Sequence, residues 1–500
     1  MTRVDRPGAL ELLDRVLDPG SWKSWDEPPS DPSPISPEYA AELAAAREKT
    51  GLDESLITGS GTIHGRRIAV VACEFGFLAG SIGVAAAERL VRAVERATAE
   101  GLPLVAAPTS GGTRMQEGTV AFMQMVKISA AVALHRQAKL PYLVYLRHPT
   151  TGGVFASWGS TGHITAAEPG ALVGFLGPRV YEALYGEPFP AGVQVSENLL
   201  EHGLIDAVVA PEDLRQIAAD ALAVLMAPRE GLPEVAPLPK EELADIPAWE
   251  SIQRSRRDGR PTVRGLLRSA ANTVTPLQGT GEGETEPGLL LALAKFGGAP
   301  CVVLGQDRRR QQSQGPLGPA GLREARRGMR LAAELNLPLV TVIDTAGAAL
   351  SKEAEEGGLA GEIARCLAEL VVLPAPTVCL LLGEGAGGGA LALLPADRVL
   401  CAQHSWLSPL PPEGASAIIY RDTEHAAEVA AAQGVRSLDL LRNGLVDRVV
   451  AERPDAADEP AAFLARLGQV LEYELVELLH RDPAERLAAR LRRYRTLGTG

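Results

Sequence analysis

Aromatic side chains account for only 4% of the 500 residues. The chain therefore lacks the rings on which unpaired bases stack, and its core must be made of Ala, Val and Leu in tightly packed strand and helix layers. Excess positive charge is missing as well: 49 Lys and Arg face 62 Asp and Glu, a net charge of −13. Nucleic acid is not expected as a partner, and only local arginine clusters are left as phosphate contacts. Cysteine is scarce. The five, at 73, 301, 366, 379 and 401, include no C-x-x-C pair, which argues against a disulfide framework or a structural zinc site; in apolar runs such as 70-VVACEF-75 they read as buried, reduced thiols.

Long apolar runs are lacking too. The most apolar window, 368–396, is interrupted by Pro374, Pro376, Glu384 and a glycine cluster, so no membrane association is expected. Residues 1–30 carry Asp5, Glu11, Asp14 and Asp18 without a sustained apolar core, so neither a signal nor a transit peptide is read and the expected location is cytoplasmic. No G-x-S-x-G occurs, which leaves no nucleophile elbow. His148 and His163 flank one glycine turn, yet neither recurs at the matched position elsewhere in the chain.

What the chain does have is a duplication. The stretch 140-LPYLVYLRHPTTGGVFASWGS-160 returns as 375-APTVCLLLGEGAGGGALALLP-395, with Pro141 over Pro376 and Gly152 over Gly387 at one common offset (376 − 141 = 387 − 152). Upstream, 102-LPLVAAPTSGGTRMQEG-118 lies over 337-LPLVTVIDTAGAALSKE-353 at the same offset (337 − 102). Downstream, 199-LLEHGLIDAVV-209 matches 440-LLRNGLVDRVV-450 at a slightly larger one (440 − 199). Three matched blocks in one order mean a duplicated domain. Each copy is an apolar strand, a glycine turn and a small-residue helix, and repeated units of this kind predict a layered α/β fold.

The organisation follows. Residues 1–55 form an arm and a helix, 56–226 a first domain, 227–248 a linker with five prolines, and 249–500 a second domain. A hairpin is predicted over 56–75, turning near Gly65. The tail, 480-HRDPAERLAARLRRYRTLG-498, is a basic helix that reads as a solvated face, an oligomer contact or a contact to the phosphate of a nucleotide.

Glycine turns opening helices let backbone N–H groups approach a ligand. Such donors stabilise an oxygen that gains negative charge, and two copies imply two such oxygens. A reaction needing both would move a group between two carbonyl compounds, each passing through an enolate-like state.

The strings 74-EFGFLAGSIG-83, 110-SGGTRMQEG-118, 149-PTTGGVFAS-157 and 168-EPGALVGFLGPRV-180 resemble the β subunit of bacterial acetyl-CoA carboxylase carboxyltransferase. In the second half, 249-WESIQRSRRDGRP-261, 342-VIDTAGA-348, 383-GEGAGGGALAL-393 and 412-PEGASAI-418 resemble its α subunit. The resemblance covers nearly all of 9–498. It implies tandem crotonase-like domains, each a β–β–α superhelix, with the active site where the β half of one protomer faces the α half of another. It also implies transfer of a carboxyl group from carboxybiotin, held on a separate carrier protein, to an acyl-CoA such as acetyl-CoA. Biotin carboxyl carrier protein and biotin carboxylase would be other chains, and the protein at least a homodimer.

Carried over, Gly152 and Gly153 donate to the thioester oxygen, and two of Gly387, Gly388 and Gly389 to the biotin ureido oxygen. Gly111, Gly112, Arg114 and Gly347 are the expected substrate-binding positions, with a structural role as the equal alternative for Arg114. The chain departs from the family twice. The four-cysteine zinc ribbon is absent, so no zinc is expected, and the turn T-P-G-A-Y-P-G is here 345-TAGAALS-351. The alternatives are a transferase running from malonyl- or methylmalonyl-CoA to biotin, a non-biotin hydratase or isomerase, and a regulatory paralogue.

Overall fold

A computed structural model describes residues 6–29, 35–239 and 241–498. The chain divides into two compact units, the first running through Leu222 with residues 281–283, the second formed by 223–280 and 284 onward.

The first unit is built on a seven-stranded sheet whose strands lie side by side in chain order: β1 (Lys23–Ser24), β2 (Leu56–Ile63), β3 (Arg66–Cys73), β4 (Leu104–Ala107), β5 (Tyr142–Leu146), β6 (Ile164–Ala167) and β7 (Ala207–Val208). The β2–β3 hairpin turns on His64 and Gly65, both left-handed with φ 48° and 75°, as a two-residue turn between twisted strands requires. From β3 onward every pairing is parallel. Parallel strands are covered on both faces and so read as continuous apolar runs, as in 142-YLVYL-146. The helix Val84–Ala99 lays Ala86, Leu90, Val94 and Ala97 against Val71, Leu104 and Val144. Truncating a fully buried leucine such as Leu90 costs about 2–5 kcal/mol.

The second unit repeats the plan with β8 (Thr273–Leu277), β9 (Leu289–Phe296), β10 (Ala299–Gln306), β11 (Leu339–Thr345), β12 (Thr377–Ala386), β13 (Arg398–Ala402) and β14 (Arg448–Val450). Here the hairpin turns on Gly297 and Gly298. Register is duplicated along with order: Leu104 pairs with Tyr142 and Leu339 with Thr377, and the two pairs are related by the offset of the matched sequence blocks (339 − 104 = 377 − 142). At the far edge Ala207 and Arg448 are equivalent, and their offset (448 − 207) is the larger one read between the downstream blocks. The helix Pro460–Leu479 packs Phe463, Leu467, Leu471 and Leu475 onto this sheet.

The proline-rich stretch lies against the second unit. Leu232, Val235 and Leu238 pack on its core, Glu241 accepts the N–H of Ala451 at 3.0 Å, and Asp245 pairs with Arg436. All five cysteines are free and buried, and burial pushes the Cys73 thiol up to about 11 and the Cys379 and Cys401 thiols to about 12, which keeps them inert.

Candidate active site

In the first unit two turns meet at the C-terminal ends of β4 and β5. The Ser110 N–H donates to the Pro149 carbonyl at 2.7 Å and the Thr151 N–H to the Ser110 carbonyl at 2.9 Å, which laces one turn to the other. Gly112 has φ 110° and rests its N–H on Ser110 Oγ at 3.0 Å. Gly152 has φ 65°, and a Cβ there would stand 3.3 Å from the Gly112 Cα. Positive φ favours glycine at both positions, and at Gly152 the close approach of the Gly112 backbone adds to it.

The donors differ from expectation in one respect. The Gly152 N–H is not available to a ligand, because it donates to the Phe175 carbonyl at 2.9 Å. The Gly153 N–H makes no hydrogen bond among the described residues. Beside it, the bridge between Ile82 and Thr113 uses the N–H groups of Ile82 and Arg114 and leaves that of Thr113 over. Gly111 is exposed and ties its N–H to the Ala79 carbonyl at 2.9 Å.

Of the two readings open for Arg114, the burial and partners of its side chain favour the structural one. It is 1% exposed, forks onto Glu54, and also donates to Ser55 Oγ at 3.0 Å and to the Ser81 carbonyl at 2.7 Å. A guanidinium and a carboxylate desolvated together are held by mutual bidentate bonding, so the pair fixes the base of the turn.

The second unit carries the same turn at the equivalent position. Thr345 Oγ1 accepts the Gly347 N–H at 3.2 Å, as Ser110 does for Gly112, and Gly347 has φ 134°. The Leu317–Ala348 bridge stands where Ile82–Thr113 stood. Gly387 has φ 63°, the counterpart of Gly152, which makes Gly388 the counterpart of Gly153. By backbone conformation the two turns therefore align Gly152 with Gly387 and Gly153 with Gly388. The helix Gly387–Leu391 starts here, so its first N–H groups have no intrahelical acceptor. Gly389 packs on the neighbouring turn: a Cβ would lie 3.2 Å from the Ala348 nitrogen, and its carbonyl accepts from Gln306 Nε2 at 2.7 Å. The altered turn 345–351 projects Leu350, 94% exposed, where the family pattern has proline.

Behind this turn lies a buried charge network that the sequence reading did not find. Asp344, just before the turn, accepts the Glu384 N–H at 3.1 Å, and burial pushes its carboxyl up to about 6. Arg256 bonds Glu384 at 2.9 Å and Glu413 at 2.5 Å, and sits 5.8 Å from the Trp406 ring and 5.9 Å from the Trp249 ring. Arg260 forks onto Glu452 and Asp455. The only available signal was the arginine run 254-RSRRDGR-260, which shows no partner until the chain folds. The two flanking histidines are structural acceptors: His148 Nδ1 takes the Leu172 N–H and His163 Nδ1 the Tyr142 N–H, each at 3.0 Å. Burial lowers the His148 pKa to about 4.

Residues 9–486 match the family described as carboxyl transferase domain. A Mycobacterium tuberculosis protein described as a probable biotin-dependent acyl-coenzyme A carboxylase beta3 subunit is 64% identical over 489 residues, 98% of either chain. The acetyl-coenzyme A carboxylase carboxyl transferase subunits beta/alpha of Salinispora tropica are 39% identical over 519 residues, covering 99% of this chain and 91% of that one. Among solved structures, a transcarboxylase 12S hexamer with methylmalonyl-coenzyme A and methylmalonic acid bound superimposes with a TM-score of 0.72 at 21% identity, over 92% of this chain and 89% of that one. At that identity the likeness speaks for the fold, which is the tandem crotonase-like arrangement.

Proposed function

The chain belongs to the carboxyl transferase domain family and is a biotin-dependent acyl-CoA carboxyltransferase; from that premise we propose that it moves a carboxyl group from carboxybiotin to acetyl-CoA or a related short acyl-CoA, giving malonyl-CoA-type products. One observation carries the reading: both halves hold the same glycine turn, with donors left over at Gly153 in the first and at the helix start around Gly388 in the second.

In this reading the Gly153 N–H meets the acyl thioester oxygen as the α-carbon gives up its proton, and a single preorganised donor of this kind lowers a barrier by about 3–4 kcal/mol. The second turn is assigned to the ureido carbonyl because the first N–H groups of the helix Gly387–Leu391 lack an intrahelical acceptor. When bound, carrier-borne biotin supplies the carboxyl group and a ring nitrogen able to take the α-proton, so no side chain of this protein need act as base. The engaged histidines of the first turn agree with that division of labour.

The carrier protein and the biotin carboxylase are proposed to be separate chains, working with this one in the cytoplasm. A homo-oligomer is part of the proposal. The helical segment Met115–Gln137 is long and apolar enough to cross a membrane by length and composition, and its helix Gly118–Gln137 leaves Val120, Phe122, Met123 and Val126 exposed, while the helix Pro412–Ile419 exposes Ile418 and Ile419. We assign these faces to contacts between copies of the chain, since apolar patches of this extent are ordinarily covered. The test is decarboxylation of malonyl-CoA by the purified chain with free biotin, compared with methylmalonyl-CoA. Biotin-dependent loss of CO2 from malonyl-CoA is expected; preference for the branched substrate would displace acetyl-CoA, and loss independent of biotin would sink the reading.

A further inference from the structure

The side chain of Gln306 joins the two turns of the second unit. It ends β10, is wholly buried, and uses both ends of its amide. Its Oε1 accepts the Asp344 N–H at 3.2 Å, where β11 leads into the turn 345–351, and its Nε2 donates to the Gly389 carbonyl at 2.7 Å, in the glycine run after β12. With donor and acceptor both engaged at full burial, the amide has one orientation.

The Gly389 carbonyl depends on that bond, because the helix opening at Gly387 supplies no donor for it. Leu393, four residues on, sends its N–H to the Ala390 carbonyl at 3.2 Å, and Ala392 sends its own to Gly388 at 3.0 Å. Left alone, a buried carbonyl is costly. Five residues are also too few for a helix to keep its direction unaided, so ties from outside decide where its first peptides point.

The first unit meets the same need without such a tie. Register makes Cys73 the counterpart of Gln306 (302 − 69 = 306 − 73), and the offset of the turns makes Val154 the counterpart of Gly389 (387 − 152 = 389 − 154). The Cys73 thiol takes the Thr109 N–H, as Gln306 takes that of Asp344, but the Val154 carbonyl accepts the Gly159 N–H from its own helix at 2.8 Å. A side-chain reach from strand to turn is thus confined to the half assigned to the ureido oxygen.

We propose that Gln306 is a positioning residue of that half: by holding the Gly389 carbonyl it fixes the path of 387–389 and with it the aim of the Gly388 N–H. The role rests on the carboxyl-transfer reading. Being wholly buried, Gln306 acts through the glycines and not on biotin itself.

The assay is biotin-dependent decarboxylation of malonyl-CoA by the full chain, with thermal midpoints recorded alongside. Gln306→Met keeps the length of the side chain and loses both bonds. Gln306→Cys copies the first unit, keeping an acceptor for the Asp344 N–H and losing only the reach to Gly389. In both, kcat/KM for free biotin should fall about tenfold while KM for malonyl-CoA is unchanged, the mark of a misplaced donor on one side only. Leu304→Val trims a buried side chain on the same strand that packs toward Gly328, away from the turns, and should leave both constants as they are. If Gln306→Met melts below the assay temperature, Gln306→Cys decides alone. With an active wild type, kcat/KM for biotin preserved in a folded Gln306 variant, a matching rise in KM for malonyl-CoA, or the same loss in Leu304→Val overturns the role of Gln306 and leaves the carboxyl-transfer reading standing. A wild type without biotin-dependent activity removes both.

Discussion

Asp344 Oδ1 accepts the backbone N–H of Glu384 at 3.1 Å, and so ties the strand that leads into one glycine turn of the second unit to the strand that leads into the other. The contact is tight: a Cβ on Gly383 would stand 2.3 Å from that same oxygen. The carboxylate therefore sets the spacing of the two turns from behind, at the cost of being buried.

Its titration gives the first prediction. Burial raises the Asp344 pKa from 3.8 to about 6, so the folded state binds the proton more tightly than the unfolded one. The sign follows: Asp344 opposes folding increasingly as pH rises from 3.8 to about 6, and above that the penalty is complete, about 3 kcal/mol at 1.36 kcal/mol per unit. Asp344→Asn keeps an acceptor for Glu384 and loses this slope. Urea unfolding between pH 4 and pH 8 should show the variant gaining on wild type by a few kcal/mol across that range; parallel curves would rule the burial argument out.

Gly152 and Gly153 should fail in different ways. Gly152→Val forces a β-branched residue to φ 65° against the Gly112 backbone, and left-handed strain alone costs about 1–2 kcal/mol, so its thermal midpoint should drop. Gly153→Val meets mainly the ends of Met125 and Thr113, at 3.2 and 3.3 Å, which can shift. The fold should survive while kcat for biotin-dependent decarboxylation falls about 10²–10³-fold, the loss expected when one oxyanion donor is blocked. Comparable melting losses in both variants, with activity preserved at 153, would remove the acyl-oxygen assignment.

For Arg114 the prediction is structural. Arg114→Met strands the Glu54 carboxylate in the interior and should cost about 3–5 kcal/mol, whereas Arg114→Met with Glu54→Leu should recover most of it. KM for acyl-CoA should be unchanged in the double variant. A raised KM there would restore the arginine to the substrate wall.

These contrasts mark what the sequence could and could not disclose. The layered α/β plan, the hairpin at Gly65 and the duplicated turns were legible because they rest on local signals: apolar runs, turn glycines and matched blocks. The role of Gly152 was not, and that of Arg114 was left open between two readings. The Gly152 N–H is a donor to protein and not to a ligand only because the Phe175 carbonyl, in a later loop, happens to lie beside it, and Arg114 finds Glu54 only through the folded chain. The network around Asp344 is hidden for the same reason, since Arg256 and Glu384 meet over a sequence separation of 128. Pairing of charges at long range leaves no periodicity to read.

The altered turn supplies the last prediction. At Ala349 the backbone N–H donates to the Leu317 carbonyl at 2.9 Å, a bond that does not depend on the side chain, so the turn should keep its path when the residue changes. The side chain itself is half-buried beside Ala348, whose nitrogen borders Gly389. Ala349→Tyr, the residue of the family pattern, adds an aromatic face next to the proposed ureido cradle, and aromatic contacts of this sort contribute about 0.5–1.5 kcal/mol. The KM for free biotin should then fall by about two- to tenfold with kcat little changed, because the gain is in binding and not at the developing oxyanion. A rise in KM, or a fall in kcat with KM constant, would mean that the turn 345–351 has been rebuilt around its alanines to accept biotin in another pose.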